Sequence, residues 1–250
     1  MKENVIILTS GLSGSSVLTG LIAEAGYWPG DVTHKKEYDT FENDDLIKLN
    51  EALIRQANFK GSYMTEFRPE GIERIAAFSP ATEGPSYAEF VRQCDAHAPW
   101  VWKDPRLWLT IRFWAQMLDL KRCKFVILTR NYLQCWISAT LRRQIRSYPA
   151  FRSYEESVKQ TLVDFCTEAG VSFLAIEYED LILRPSRTLD NLNRYLHTNL
   201  TIADLERVYH QPLYKKPRSF FDFLKATAIY LKNYHARLDA PAARGALRRT

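Results

Sequence analysis

The first 26 residues constrain the fold most, because a strand, a turn of small residues and a helix follow one another without interruption. Residues 4–8 form a continuous apolar run, and residues 9–16 read Thr9-Ser10-Gly11-Leu12-Ser13-Gly14-Ser15-Ser16. Residues 16–25 then carry apolar side chains at helical spacing, with Gly26 where a C-terminal cap belongs. The run at 4–8 does not alternate with polar residues, which predicts a strand buried on both faces. Three further runs of the same kind lie at 100–102, 125–128 and 173–176. Between and around them, residues 44–56, 85–97, 107–117, 133–146, 154–169 and 186–196 have the spacing of amphipathic helices. Strands alternating with helices predict an α/β fold: a P-loop-like three-layer sandwich with a mostly parallel central sheet flanked by helices. Ligands of such sheets bind beyond the carboxyl ends of the strands.

A chain of 250 residues with 46% hydrophobic and 25% charged positions can bury one sizeable core, so residues 1–250 read as a single domain. Residues 35–99 hold helical patterns but no parallel strand, and are expected to be an insertion that carries the acceptor surface. Residues 239–250, which include Arg244, Arg248 and Arg249, are expected to form a frayed basic tail. No stretch approaches the roughly 20 apolar residues of a membrane span and no signal-peptide core is legible, so a cytoplasmic protein is expected. Cys94, Cys123, Cys135 and Cys166 are scattered, with no CxxC pair, which argues for reduced buried thiols rather than a zinc site or disulfide framework. The tryptophans 100, 102, 108, 114 and 136 read as core.

The net charge of +5 (34 basic, 29 acidic) is too small to argue for nucleic acid and suits an anionic small ligand. Basic residues gather at Arg142, Arg143 and Arg146 and again at Lys215, Lys216 and Arg218. The turn at 9–16 is the natural place for an anion, since small residues let successive N–H groups converge beside a helix N-terminus. Alone, it fits a phosphate loop and an ordinary Gly/Ser turn equally well. A nucleoside triphosphatase would need Gly-Lys-Ser/Thr at its end, and Ser15 stands in the lysine position.

The turn resembles the 5′-phosphosulfate loop of the sulfotransferase superfamily, in which a Ser-Gly-Ser/Thr-Ser/Thr core opens the first helix. Three other segments resemble the same family in the same order. Phe125-Val-Ile-Leu-Thr-Arg130-Asn131, with Ser138 eight residues after the arginine, is similar to its 3′-phosphate motif. Ile176-Glu-Tyr178-Glu-Asp180-Leu, followed by Pro185 and a helix, resembles its Tyr-Glu-Asp-Leu segment. Trp102-Lys103-Asp104-Pro105-Arg106-Leu107 is similar to the Lys-Asp-Pro motif of tyrosylprotein and many bacterial sulfotransferases. Together they cover most of the chain outside the insertion and tail.

The resemblance implies transfer of a sulfuryl group from 3′-phosphoadenosine 5′-phosphosulfate (PAPS) to a hydroxyl or amine, with the bisphosphate PAP as product and no metal required. It implies that Gly11, Leu12, Ser13, Gly14, Ser15 and Ser16 hold the 5′-phosphosulfate and that Arg130 and Ser138 hold the 3′-phosphate. Tyr178 would pack on adenine or serve as a core aromatic. Lys103 is the candidate cation at the transferring group, or else pairs with Asp104. Glu42 is the candidate general base, or else decorates a helix N-terminus; His34 and Glu66 are the alternates. Lys215, Lys216 and Arg218 would close over the 3′-phosphate. Two positions depart from the family: Leu12 replaces the usual basic residue before Ser-Gly, and Tyr132 replaces a proline. The implied partner is a small-molecule or glycan acceptor, not nucleic acid. Competing readings are a nucleotide-binding protein without transfer activity, motivated by Leu12, and a small-molecule kinase with a degenerate phosphate loop.

Overall fold

The computed structural model describes residues 2–35, 39–80, 85–209 and 218–238. Tyr38, Lys215, Lys216, Arg244, Arg248 and Arg249 lie outside the described residues. The central sheet has the order β4 (Val101–Lys103), β1 (Asn4–Leu8), β5 (Cys123–Thr129), β6 (Phe173–Glu177), and every pairing is parallel. Its register sets Ile6 beside Trp102 and Phe125, and Ile7 beside Lys103 and Val126. Successive side chains leave a strand on opposite faces, so Ile6, Leu8 and Phe125 enter one core while Val5, Ile7 and Val126 enter the other. This is why the apolar runs of β1 and β5 are continuous.

One face carries α2 (Asp44–Gln56), α3 (Pro69–Ala76), α4 (Pro85–Ala96), α5 (Leu107–Trp114) and α7 (Tyr148–Glu168). The other carries α1 (Ser15–Glu24), α8 (Tyr178–Leu183), α9 (Pro185–Leu196) and α10 (Ile202–Tyr209). A third, smaller cluster joins α6 (Tyr132–Leu141) to α11 (Phe220–Lys232). The three layers expected from the alternation of elements are therefore present. Trp100, Trp102, Trp108, Trp114 and Trp136 are buried, and so are the four cysteines, none of which is in a disulfide. Among the described residues no helix is long and apolar enough to cross a membrane.

The structure departs from the periodic reading in several places; the helix expected over 107–117, for example, ends at Trp114. The helix expected over 133–146 stops at Leu141, because Arg143 is left-handed (φ 65°) and the Gln144 N–H turns back to the Ala139 carbonyl. The helix expected from 154 begins six residues earlier, at Tyr148, where Ser147 caps it and Pro149 occupies a first-turn position that tolerates proline. Among the described residues of 35–99 there is no parallel strand, yet an antiparallel pair of β2 (Thr33–Lys35) and β3 (Asp39–Asn43) leads into α2. Both strands of the pair are short and polar, which hid them from the apolar pattern. The Asn43 side chain caps α2, accepting from Asp45 and Leu46 N–H.

Candidate functional site

The turn between β1 and α1 is held in an anion-cradle shape by backbone conformation. Gly11, Leu12 and Gly14 all have positive φ, at 95°, 55° and 81°. Thr9 donates its hydroxyl to Ser13 Oγ at 2.5 Å, closing the turn from within. Gly14 is obligatory on two counts. Its φ favours glycine, and a Cβ there would fall 2.2 Å from Cε2 of the fully buried Tyr178. As the N-cap of α1 it supplies no side chain, so the helix start is left to backbone donors.

Gly11, Leu12, Gly14, Ser15 and Ser16 line one wall of a cavity of about 610 Å³; Glu42 and Lys103 line it too. Lys103 closes β4 at the carboxyl edge of the sheet and is 1% exposed. Its Nζ donates to Glu42 Oε1 at 2.6 Å and to Ser16 Oγ at 3.4 Å. Glu42 reaches this point from β3, so it belongs to a strand rather than decorating the start of α2. Lys103 does not pair with Asp104. That carboxylate is fully buried and is occupied by the Arg106 backbone N–H, the Arg106 guanidinium and the Asn50 amide, all at 2.9 Å. Burial pushes the Asp104 carboxyl up from its ordinary range, and the Arg106 charge draws it back. Arg106 also binds Glu51 at 2.6 Å and stacks over Tyr63, so the Lys-Asp-Pro-Arg turn has little freedom to move.

Arg130 lies on the far side of the same turn. Its Nη1 donates to the Leu12 carbonyl at 3.1 Å, and its guanidinium stands over Tyr178. Nε and Nη2 of Arg130 are buried with no hydrogen-bond partner among the described residues; Glu179 Oε1 is 3.6 Å from Nε. Ser138, nearly two turns into α6, is buried and accepts from Arg218 Nε at 3.2 Å. Burial pulls the Arg218 guanidinium below its ordinary value; Asp222 opposes it, and the Arg130 and Arg142 charges add to the lowering. Arg218, bonded to Ser138, thus lies within electrostatic reach of two further arginines, an arrangement suited to an anion of more than one charge.

These features sit at the carboxyl edge of a β4-β1-β5-β6 parallel sheet, and solved structures share that frame. A sulfotransferase domain from the olefin synthase of Synechococcus PCC 7002 superposes with a TM-score of 0.53 over 92% of this chain and 96% of that one. The sulfotransferase domain from the curacin biosynthetic pathway superposes with a TM-score of 0.51 over 96% of this chain and 93% of that one. The chain has the sulfotransferase fold. Sequence identities are 16% and 17%, so the likeness is one of architecture. No protein-family model matches the chain, and the search of curated proteins found no match.

Within this sulfotransferase fold the candidate residues fall into two groups. Gly11, Leu12, Gly14, Ser15, Ser16, Glu42 and Lys103 share the cavity, whereas Ser13, Arg130, Ser138 and Tyr178 are buried and do not line it. Tyr178 is fully buried between Gly14 and Arg130. His34 lines the cavity 3.8 Å from Asp44. Glu66 lies elsewhere, bridging Arg68 and Arg146 at 2.7 Å each. Among the described residues no group of three or more His, Cys, Asp or Glu side chains is placed to hold a metal ion.

Three supporting residues escaped the sequence reading. Asn50 also accepts from Thr110 and Trp114, both at 2.8 Å; a polar residue interrupting the buried stripe of Leu46 and Leu53 was its only signal. Tyr154 Oη lies 2.7 Å from the Tyr63 carbonyl and 3.2 Å from that of Ser10. Glu155 accepts the Ser10 hydroxyl at 2.6 Å. Nothing local marks either residue, since their partners are some 90 to 145 positions away.

Proposed function

We propose that this chain transfers a sulfuryl group from PAPS to a hydroxyl or amine on a small-molecule or glycan acceptor. The observation that carries the reading is the meeting of Lys103, Glu42 and Ser16 at one cavity beside the Gly11–Ser16 turn. Sulfuryl transfer is dominated by positioning and charge stabilisation, as phosphoryl transfer is, and this cavity offers both.

The turn from Gly11 to Ser16 holds the 5′-phosphosulfate through its N–H groups and hydroxyls. Arg130 and Ser138, with Arg218 beside them, hold the 3′-phosphate. Nε and Nη2 of Arg130 fit that assignment: a buried guanidinium nitrogen without a hydrogen-bond acceptor is costly, and an oxyanion relieves it. Tyr178 holds Gly14 and Arg130 in place from below. Leu12 packs toward the α6 and α11 cluster, and Lys103 supplies the cation that this position provides elsewhere in the fold family.

When bound, the donor contributes the sulfuryl group itself. Glu42 takes the proton from the acceptor hydroxyl as its oxygen bonds to sulfur. Lys103 stabilises the negative charge left on the phosphate oxygen as the sulfur–oxygen bond breaks. Residues 35–99, which deliver Glu42, Glu51, Tyr63 and Met64 to the cavity, form the acceptor side.

The test is transfer of radiolabel from PAPS to a panel of hydroxyl and amine acceptors, with Lys103→Ala and Glu42→Ala as controls. Label transfer that both variants abolish supports the reading, and undiminished transfer by either overturns the roles assigned here.

A further inference from the structure

Two consecutive residues of α7 grip the first residue of the turn after Thr9. Tyr154 Oη approaches the Ser10 carbonyl at 3.2 Å, and Glu155 Oε2 accepts the Ser10 hydroxyl at 2.6 Å. Glu155 is 7% exposed, and among the described residues no lysine, arginine or histidine pairs with it. The ionisable groups that feel its charge are Tyr132 of α6 and Tyr154 of α7; Cys135, Tyr63 and Arg146 reach Tyr154 rather than Glu155. A carboxyl group is therefore buried without a counter-ion one hydrogen bond behind a turn shaped for anions. An ionised carboxylate there repels a polyanion in the turn, and a neutral carboxyl does not.

We propose that Glu155 is a proton-linked positioning residue, which supports Ser10 in both states but favours occupation of the Gly11–Ser16 turn by a multiply charged anion only when protonated. This inference rests on the nucleotide reading of the turn given above. Burial pushes the Glu155 carboxyl up to about 7, the Ser10 hydrogen bond drawing it partly back, so the proton is exchangeable near neutral pH. A bound polyanion raises it further, so binding above pH 7 draws a proton onto the protein.

Titration calorimetry with PAP at pH 6, 7 and 8, in buffers of different ionisation enthalpy, tests this on the wild type and Glu155→Gln. Glutamine keeps an acceptor for Ser10 and carries no charge. The expected result is a wild-type affinity, relative to Glu155→Gln, that falls about tenfold from pH 6 to pH 8. With it comes uptake of up to one proton by the wild type at pH 8, where the phosphates of PAP no longer titrate. Equal pH dependence in the two proteins overturns the proposal. Should Glu155→Gln fail to fold, the wild-type proton count at pH 8 decides alone, and no uptake overturns it. Absence of PAP binding at every pH defeats the nucleotide reading and this inference with it; binding without proton linkage defeats only the inference.

Discussion

Lys103 Nζ stands 2.6 Å from Glu42 Oε1 although the two residues are 61 positions apart in the chain. One ends a parallel strand of the central sheet; the other belongs to a polar antiparallel strand pair folded over its edge. The pair is almost out of solvent, with side chains 1% and 14% exposed, so each charge depends on the other.

Lys103→Met therefore loses both chemistry and stability. Transfer should fall by about 10² to 10³, as when an oxyanion donor is removed. Unfolding free energy should drop by about 3 kcal/mol, because Glu42 is left as an unpaired, mostly buried carboxylate. Glu42→Gln keeps a hydrogen-bond acceptor for Lys103 but leaves its buried charge unpaired, so unfolding free energy should also drop by about 3 kcal/mol, while transfer by the folded protein, checked by circular dichroism, falls about 10² to 10⁴.

Binding of PAP tests both groups of residues. PAP carries the phosphate oxygen whose charge Lys103 stabilises, so Lys103→Met should weaken its binding by about tenfold. Arg130→Met removes a charged donor set and should weaken binding by roughly 10- to 100-fold, with Ser138→Ala weaker by less than that. An Arg130→Met protein that binds as tightly as wild type, by calorimetry, would contradict the 3′-phosphate assignment.

Gly14→Ala combines a left-handed backbone with a clash against Tyr178, and neither can relax cheaply in a packed interior. A loss of about 2 to 4 kcal/mol is expected in denaturant unfolding. Tyr178→Leu in the same chain should recover part of it, because the ring is what the new methyl group meets. No coupling between the two substitutions in a double-mutant cycle would show that the contact is not the cause.

Glu155 makes stability depend on pH with a defined sign. Burial raises its carboxyl from 4.5 to about 7, so between those values the folded chain holds a proton that the unfolded chain has lost. The penalty is absent below about 4.5, grows through that window and is complete, at about 3 kcal/mol, above about 7. Glu155→Gln has no such penalty. Its stability advantage over wild type should widen by about 2 to 3 kcal/mol between pH 5 and pH 8, measured by urea unfolding; an advantage constant with pH would contradict the buried, uncompensated carboxyl.

What the sequence by itself determined is local. The core strands at 4–8 and 125–128, the bounds of α2 at 44 and 56, and the glycine turn follow from apolar period, capping residues and permitted φ, which act over a few neighbouring positions. That locality also placed Arg130 at a strand end and Ser138 within the next helix. Only the tertiary structure decided that a polar strand pair brings Glu42 to Lys103, that Asp104 belongs to Asn50 and Arg106, and that Glu155 supports Ser10 across 145 positions. Those pairings depend on how helices lie against the sheet, and a buried charge or hydroxyl takes whichever partner the packing leaves within about 3 Å.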